Sequence, residues 1–285
     1  MTTQKGYRYD PAATYAVREF DLEYLNTGGQ TRQVRIYQPE GPGPFPMVLS
    51  IHGGAWSAGD HTNNPITSRT LAASGLVVAV IGMRVAPEFP YPAQVQDTNY
   101  ATRWLKTHAG DFNGDPDTLG GIGYSSGGHT LPLSAMRPND SRYGALPLPG
   151  SPAGDATLSW MVVCWPVIDP WARYQIAKEK GNEGLMGRHH GYFVVEDSMH
   201  ESNTVEMLDG SEKFMLPPAL VIHGTADDVM PIESAERFVT SYNAAGGDAH
   251  LEPFEGMPHG FGNEERPETD RLVHVVKEFI AKHLG

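Results

Sequence analysis

A single cysteine, Cys164, rules out a disulfide within the chain and any multi-cysteine metal site. It sits in the apolar run 160–165 and is expected to be a buried small hydrophobe. Positive charge is scarce as well. Lys and Arg total 21 against 34 Asp and Glu, for a net charge of -13. Phosphate backbones call for Lys/Arg-rich surfaces, so nucleic acid is not an expected partner. Long hydrophobic runs are missing. The longest apolar stretches reach roughly eight residues, far short of a membrane span, and no membrane partner is expected. The first residues hold no apolar h-region of a secretory signal, so the expected location is cytoplasmic. Histidines are scattered, and a pair such as His189 and His190 makes no metal site without further ligands. No metal and no cofactor are expected.

What remains is a chain of 285 residues, 40% of them hydrophobic, long enough to bury a large core as one domain over 1–285. Residues 15–25 and 32–38 alternate in part and flank the turn signal Asn26-Thr27-Gly28-Gly29, which predicts an N-terminal antiparallel hairpin. Short apolar runs follow at 47–51, 76–81, 119–123, 160–165, 219–223 and 249–254. Between them lie helical patterns at 65–74, after Pro92 and after Pro231. A last helix carries Leu272, Val275, Val276 and Phe279, with Asp270 as its expected cap. Apolar strands that do not alternate, separated by helices, predict an α/β fold with a mostly parallel sheet covered on both faces. Segment 171–215 has no strong period and reads as a small inserted cap or lid that shapes the substrate pocket, with a helical excursion of purely structural packing as the alternative.

In such sheets sites form where loops leave the carboxyl ends of strands. Gly123-Tyr124-Ser125-Ser126-Gly127 follows a strand pattern and precedes a helical one. G-x-S-x-G at that place puts a serine on a sharp strand-to-helix turn with its hydroxyl exposed, and the two glycines let the backbones approach. Ser125 is the expected nucleophile; Ser126 would put Tyr124 where a glycine is needed. A serine hydroxyl needs an adjacent base. His259, in Gly256-Met257-Pro258-His259-Gly260-Phe261, stands in a loop after the last strand and is the expected base. His189 and His190 are expected to be exposed or pocket-lining, and His223 a strand-end residue. Asp227 is the expected acid that orients the imidazole. Asp228 beside it is the alternative, expected to be solvated or to cap the next helix, and Asp169 is a further one. A tetrahedral intermediate needs preorganised N–H donors. His52-Gly53-Gly54-Ala55-Trp56 follows the strand at 47–51, where Gly53 and Gly54 let the backbone turn its N–H groups into the site, joined by that of Ser126. Trp56 and Tyr124 are candidate lining of the substrate pocket, with packing beneath the loop the alternative for Trp56. Arg84 and Glu88, in Met83-Arg84-Val85-Ala86-Pro87-Glu88, are expected to form a structural ion pair.

HGGAW, RVAPE, GYSSGG, HGTADD and MPHGF occur in the order of the esterase/lipase branch of α/β-hydrolases. The chain resembles the hormone-sensitive-lipase-like and feruloyl-esterase-like (BD-FAE) carboxylesterases. The resemblance covers about 45–130 and 215–285 closely. Carried over, it makes Ser125, Asp227 and His259 a triad and Gly54, Ala55 and Ser126 oxyanion donors, with Gly53 adjoining. It implies an α/β-hydrolase fold and a serine hydrolase that cleaves small, uncharged carboxylic esters through an acyl-enzyme. Tyr124 and Ser126 depart from the usual GDSAGG, which favours the shorter esterases. The HGGxW form also resembles kynurenine formamidases, so an aryl formamidase is the alternative. A non-catalytic ligand-binding relative is a third reading. The expected partner is a small-molecule ester, and a homodimer stays open because such esterases commonly form one.

Overall fold

The computed structural model describes residues 9–149 and 155–284. Strands β1 (Val17–Thr27) and β2 (Gln30–Pro39) form the N-terminal hairpin. It is longer than the sequence pattern suggests. Asn26 and Thr27 pair with Thr31 and Gln30, which leaves a two-residue turn at Gly28-Gly29. A register shift between Glu23 and Leu25 buries Tyr24 and Leu25 together, and Tyr24 Oη donates to the Gly82 carbonyl at 3.0 Å. That bulge is why the alternation along β1 is only partial.

Strand and helix then alternate: β3 (Phe45–Ile51), α1 (Pro65–Ala73), β4 (Val77–Ile81), α2 (Ala93–Thr107), β5 (Gly114–Tyr124), α3 (Gly127–Met136) and β6 (Met161–Cys164). Four helices follow: α4 (Pro170–Glu179), α5 (Glu183–Phe193), α6 (Glu196–Glu201) and α7 (Thr204–Asp209). The chain closes with β7 (Ala219–Gly224), α8 (Ile232–Ala244), β8 (Ala249–Phe254) and α9 (Pro267–Leu284). Among the described residues the strands make one sheet in the order β1-β2-β4-β3-β5-β6-β7-β8. The pairs β1–β2 and β2–β4 are antiparallel and the others parallel.

Every residue of β3 and β4 is buried, the signature of strands covered on both faces. Met47, Leu49 and Ile51 join one core with Trp104 of α2, Leu133 of α3 and Phe238 of α8. Val48 joins the other with Leu71 of α1 and Val276 and Phe279 of α9. Successive side chains point to opposite faces, so one short strand feeds both cores. Cys164 is fully buried in the second.

Two local expectations are corrected. Asp270 does not cap the last helix, which begins three residues earlier at Pro267 and holds Asp270 in its first turn. A carboxylate there still complements the positive end of the helix dipole. Arg84 does not pair with Glu88. Its backbone N–H and its Nε donate to the Asp97 carboxylate at 2.7 and 2.8 Å, and its Nη2 donates to the Ala93 carbonyl at 3.1 Å. Asp97 is fully buried in α2 and a buried charge requires a partner, whereas Glu88 is exposed and accepts from Gln30 instead. No helix among the described residues is long and apolar enough to cross a membrane.

Candidate active site

The loops carrying the predicted site residues leave the carboxyl ends of β3, β5, β7 and β8. Register alone brings them together, since Ile51 of β3 pairs with Gly123 of β5. Ser125 follows β5 at φ +51, in the left-handed region. Its backbone is clamped in that conformation. Its N–H donates to the Cys164 carbonyl at 3.0 Å, and its carbonyl accepts from Gly128 at 2.9 Å and Val167 at 3.0 Å. The turn depends on its flanking glycines. A Cβ on Gly123 would lie 2.5 Å from the Gly127 carbonyl oxygen, and one on Gly127 would collide with the Ile51 and His52 carbonyls.

Ser125 Oγ lies 2.8 Å from His259 Nε2, and His259 Nδ1 lies 2.8 Å from Asp227 Oδ2. A carboxylate can only accept, so Nδ1 carries the proton and Nε2 is free to accept from the serine hydroxyl. Asp227 is held from several sides. Its Oδ1 accepts from the backbone N–H groups of Val229 and Met230, both at 2.9 Å. Burial alone would raise its carboxyl; hydrogen bonds from His223 and His259, with the His259 charge, hold it well below the usual carboxylate range. His223 ends β7 as predicted, and its Nε2 donates to the Met230 carbonyl at 2.7 Å while sitting 3.3 Å from Asp227 Oδ2. Asp228 is exposed and Asp169 caps α4, accepting from Ala172 at 2.8 Å. Neither reaches His259.

The loop after β3 places Gly53, Gly54 and Ala55 beside Ser125, with Gly54 and Ala55 at φ +117 and +49. Among the described residues, the N–H groups of Gly54, Ala55 and Ser126 have no protein acceptor. The Trp56 N–H, by contrast, donates to Ser126 Oγ at 3.2 Å. A cavity of about 900 Å³ opens over Ser125 and His259. Tyr124 and Trp165 form part of its wall, together with Ile66, Arg173, Leu185 and Arg188.

Trp56 is not part of that wall. Its indole is fully buried and stacks on Tyr192 at 5.0 Å and 1°, with Nε1–H donating to His129 Nδ1 at 3.3 Å. A ring this large, set between α3 and α5, contributes most by burial. His189 is likewise neither exposed nor pocket-lining: it is buried against Trp56, while His190 is exposed and meets Tyr174 Oη at 2.9 Å. Sequence reading missed Arg173, Arg188 and Leu185, which come from a segment with no periodicity to orient them. Among the described residues no group of three His, Cys, Asp or Glu is placed to hold a metal.

Comparison with known proteins agrees with this architecture. LipM of Mycobacterium tuberculosis (strain ATCC 25618 / H37Rv), described as a probable carboxylic ester hydrolase, is 31% identical over 203 residues, 69% of this chain and 44% of its own. Esterase LipC of the same organism is 29% identical over 246 residues, 83% and 58% of the two chains. The chain thus spans about half the length of these relatives. A propionate-bound esterase of Thermogutta terrifontis superposes with a TM-score of 0.72 at 23% identity, covering 97% of both chains. The carboxylesterase EstE1, from a metagenomic library, gives 0.76 at 21%, covering 95% of this chain and 90% of its own. The fold is that of the α/β-hydrolases. The BD-FAE family pattern matches residues 34–242, and the chain belongs to that family.

Proposed function

We propose that the protein is a serine hydrolase that cleaves carboxylic esters through an acyl-enzyme. The observation that carries this reading is the continuous relay from Ser125 Oγ through His259 to Asp227, two contacts of 2.8 Å each. The hydroxyl of Ser125 attacks the ester carbonyl while His259 Nε2 takes its proton. Asp227 holds the imidazole in the required tautomer and stabilises the imidazolium. The N–H groups of Gly54, Ala55 and Ser126, beside Gly53, receive the developing oxyanion. His259 then protonates the leaving alcohol, and a water activated by the same imidazole releases the acid. The esterase names of LipM and LipC support the choice of substrate class. Helices α4 and α5 supply Arg173, Leu185 and Arg188 to the cavity wall, which supports a cap role for segment 171–215.

The test is direct trapping. Rapid acid quench of the protein with a p-nitrophenyl ester, followed by peptide mass analysis, is expected to find the acyl group on Ser125. Label on another residue, or none during turnover, would overturn the covalent route.

A further inference from the structure

Two guanidinium groups share the cavity with Ser125, and no carboxylate lines it among the described residues. That is the reverse of the molecule as a whole, where acids outnumber bases 34 to 21. Arg173, from α4, is 1% exposed. Its Nε donates to His189 Nε2 at 3.3 Å, and its guanidinium lies 4.6 Å from the Trp56 ring centroid. The tautomer of His189 is fixed, because its Nδ1 donates to the Leu185 carbonyl at 2.9 Å. His189 therefore only accepts from Arg173 and brings it no negative charge. Nη2 of Arg173 is buried and makes no protein hydrogen bond. Among the described residues no carboxylate comes within ion-pair distance of Arg173 or of Arg188. Burial weakens the hold of Arg173 on its proton, the exposed Arg188 on α5 weakens it further, and Asp227 offsets part of this from beyond ion-pair distance.

A buried cation with no ion-paired carboxylate is costly to maintain, and an anion entering the cavity reduces that cost. The guanidinium fork suits a carboxylate, and hydrogen bonds to charged groups are the strong ones. We propose that Arg173 and Arg188 form a subsite for a carboxylate borne by one arm of the ester. The enzyme's substrates are then carboxylate-bearing esters rather than the uncharged ones that the sequence suggested. This rests on the esterase reading above. Ser125 chemistry is unchanged by it; the subsite selects which ester is presented to the serine.

The experiment uses two matched pairs of esters with the full chain. One pair varies the acyl arm: p-nitrophenyl butyrate against the p-nitrophenyl monoester of succinic acid. The other varies the alcohol arm: phenyl acetate against 4-acetoxybenzoate. In at least one pair, kcat/KM of the carboxylated member is expected to exceed that of its neutral partner by about tenfold or more. Arg188→Gln, at an exposed position, is expected to cut that ratio at least about threefold, and Arg173→Gln more, since a buried contact counts for more than a screened one. Should Arg173→Gln fail to fold, the wild-type ratio and Arg188→Gln still decide. Neutral members turned over as fast as or faster than both carboxylated ones, or a ratio that Arg188→Gln leaves unmoved, would overturn the subsite. Absence of Ser125-dependent turnover on all four esters would instead overturn the esterase reading itself.

Discussion

Trp56 ties the loop after β3 to two helices, α5 and α3, through one side chain. It stacks on Tyr192, meets Phe193 edge-on at 4.8 Å and donates to His129. Trp56→Ala would leave a large cavity and strand His129 Nδ1 without a donor. It is expected to cost about 3–5 kcal/mol in chemical denaturation; a loss below about 1 kcal/mol would contradict this packing role. The two histidines around the tryptophan are held neutral. Burial pushes His129 down to about 3, aided by the Arg173 charge, and burial followed by Arg173 does the same to His189. In the unfolded chain both would protonate near 6.5. The unfolded state therefore binds more protons between about pH 6.5 and 3, and the stability that these two groups contribute is present above 6.5 and fades as pH falls through that window. Imidazole NMR resonances of both, assigned with single His→Gln variants, are expected to stay those of neutral rings from pH 8 down to about 4. Either one titrating near 6.5 would show that its surroundings are wetter than described.

The turn at Ser125 shows how one strand-to-helix junction sets the position of a side chain. The serine can hold φ +51 because the Cys164, Gly128 and Val167 backbones grip it, and because Gly123 and Gly127 leave room. Gly123→Ala puts a methyl 2.5 Å from a backbone oxygen that cannot retreat without opening the turn. It is expected to lower stability by about 2–4 kcal/mol and activity by more than stability alone explains, read by denaturation and by p-nitrophenyl ester turnover of the folded fraction. Wild-type behaviour in both would refute the close-approach argument. This junction was legible in the sequence because the constraint is local: a pentapeptide fixes where glycine must stand. The bounds and buried faces of helices α4 to α7 were not legible. Arg173 is buried there by packing against Trp56, more than one hundred positions earlier in the chain, and no local period reports such a contact. Arg84 teaches the same lesson. Its neighbour Glu88 was the obvious partner in sequence, yet the fold presents Asp97 from the next helix.

Across the whole molecule, the parallel sheet converts distant sequence positions into one site. Ser125 and His259 stand 134 positions apart and meet at 2.8 Å because β5, β6, β7 and β8 lie side by side with their carboxyl ends together. The succession of strands along the chain, and the loops that carry Ser125, Asp227 and His259, could be read from apolar runs punctuated by glycine. Asp227 was preferred to Asp228 only as the first acidic residue after the strand, and the turn of the loop is what sets Asp227 against His259 and leaves Asp228 exposed. Asp227→Asn is expected to lower kcat about 10²–10⁴-fold, with Asp228→Asn within about threefold of wild type. Equal effects would mean that the loop does not discriminate between them. The most direct measurement compares wild type with Ser125→Ala at equal folded concentration on the four esters of the subsite test. The relay described here requires kcat/KM to fall by about 10⁴-fold or more on every ester that the wild type hydrolyses. Turnover by Ser125→Ala within about tenfold of wild type would contradict it.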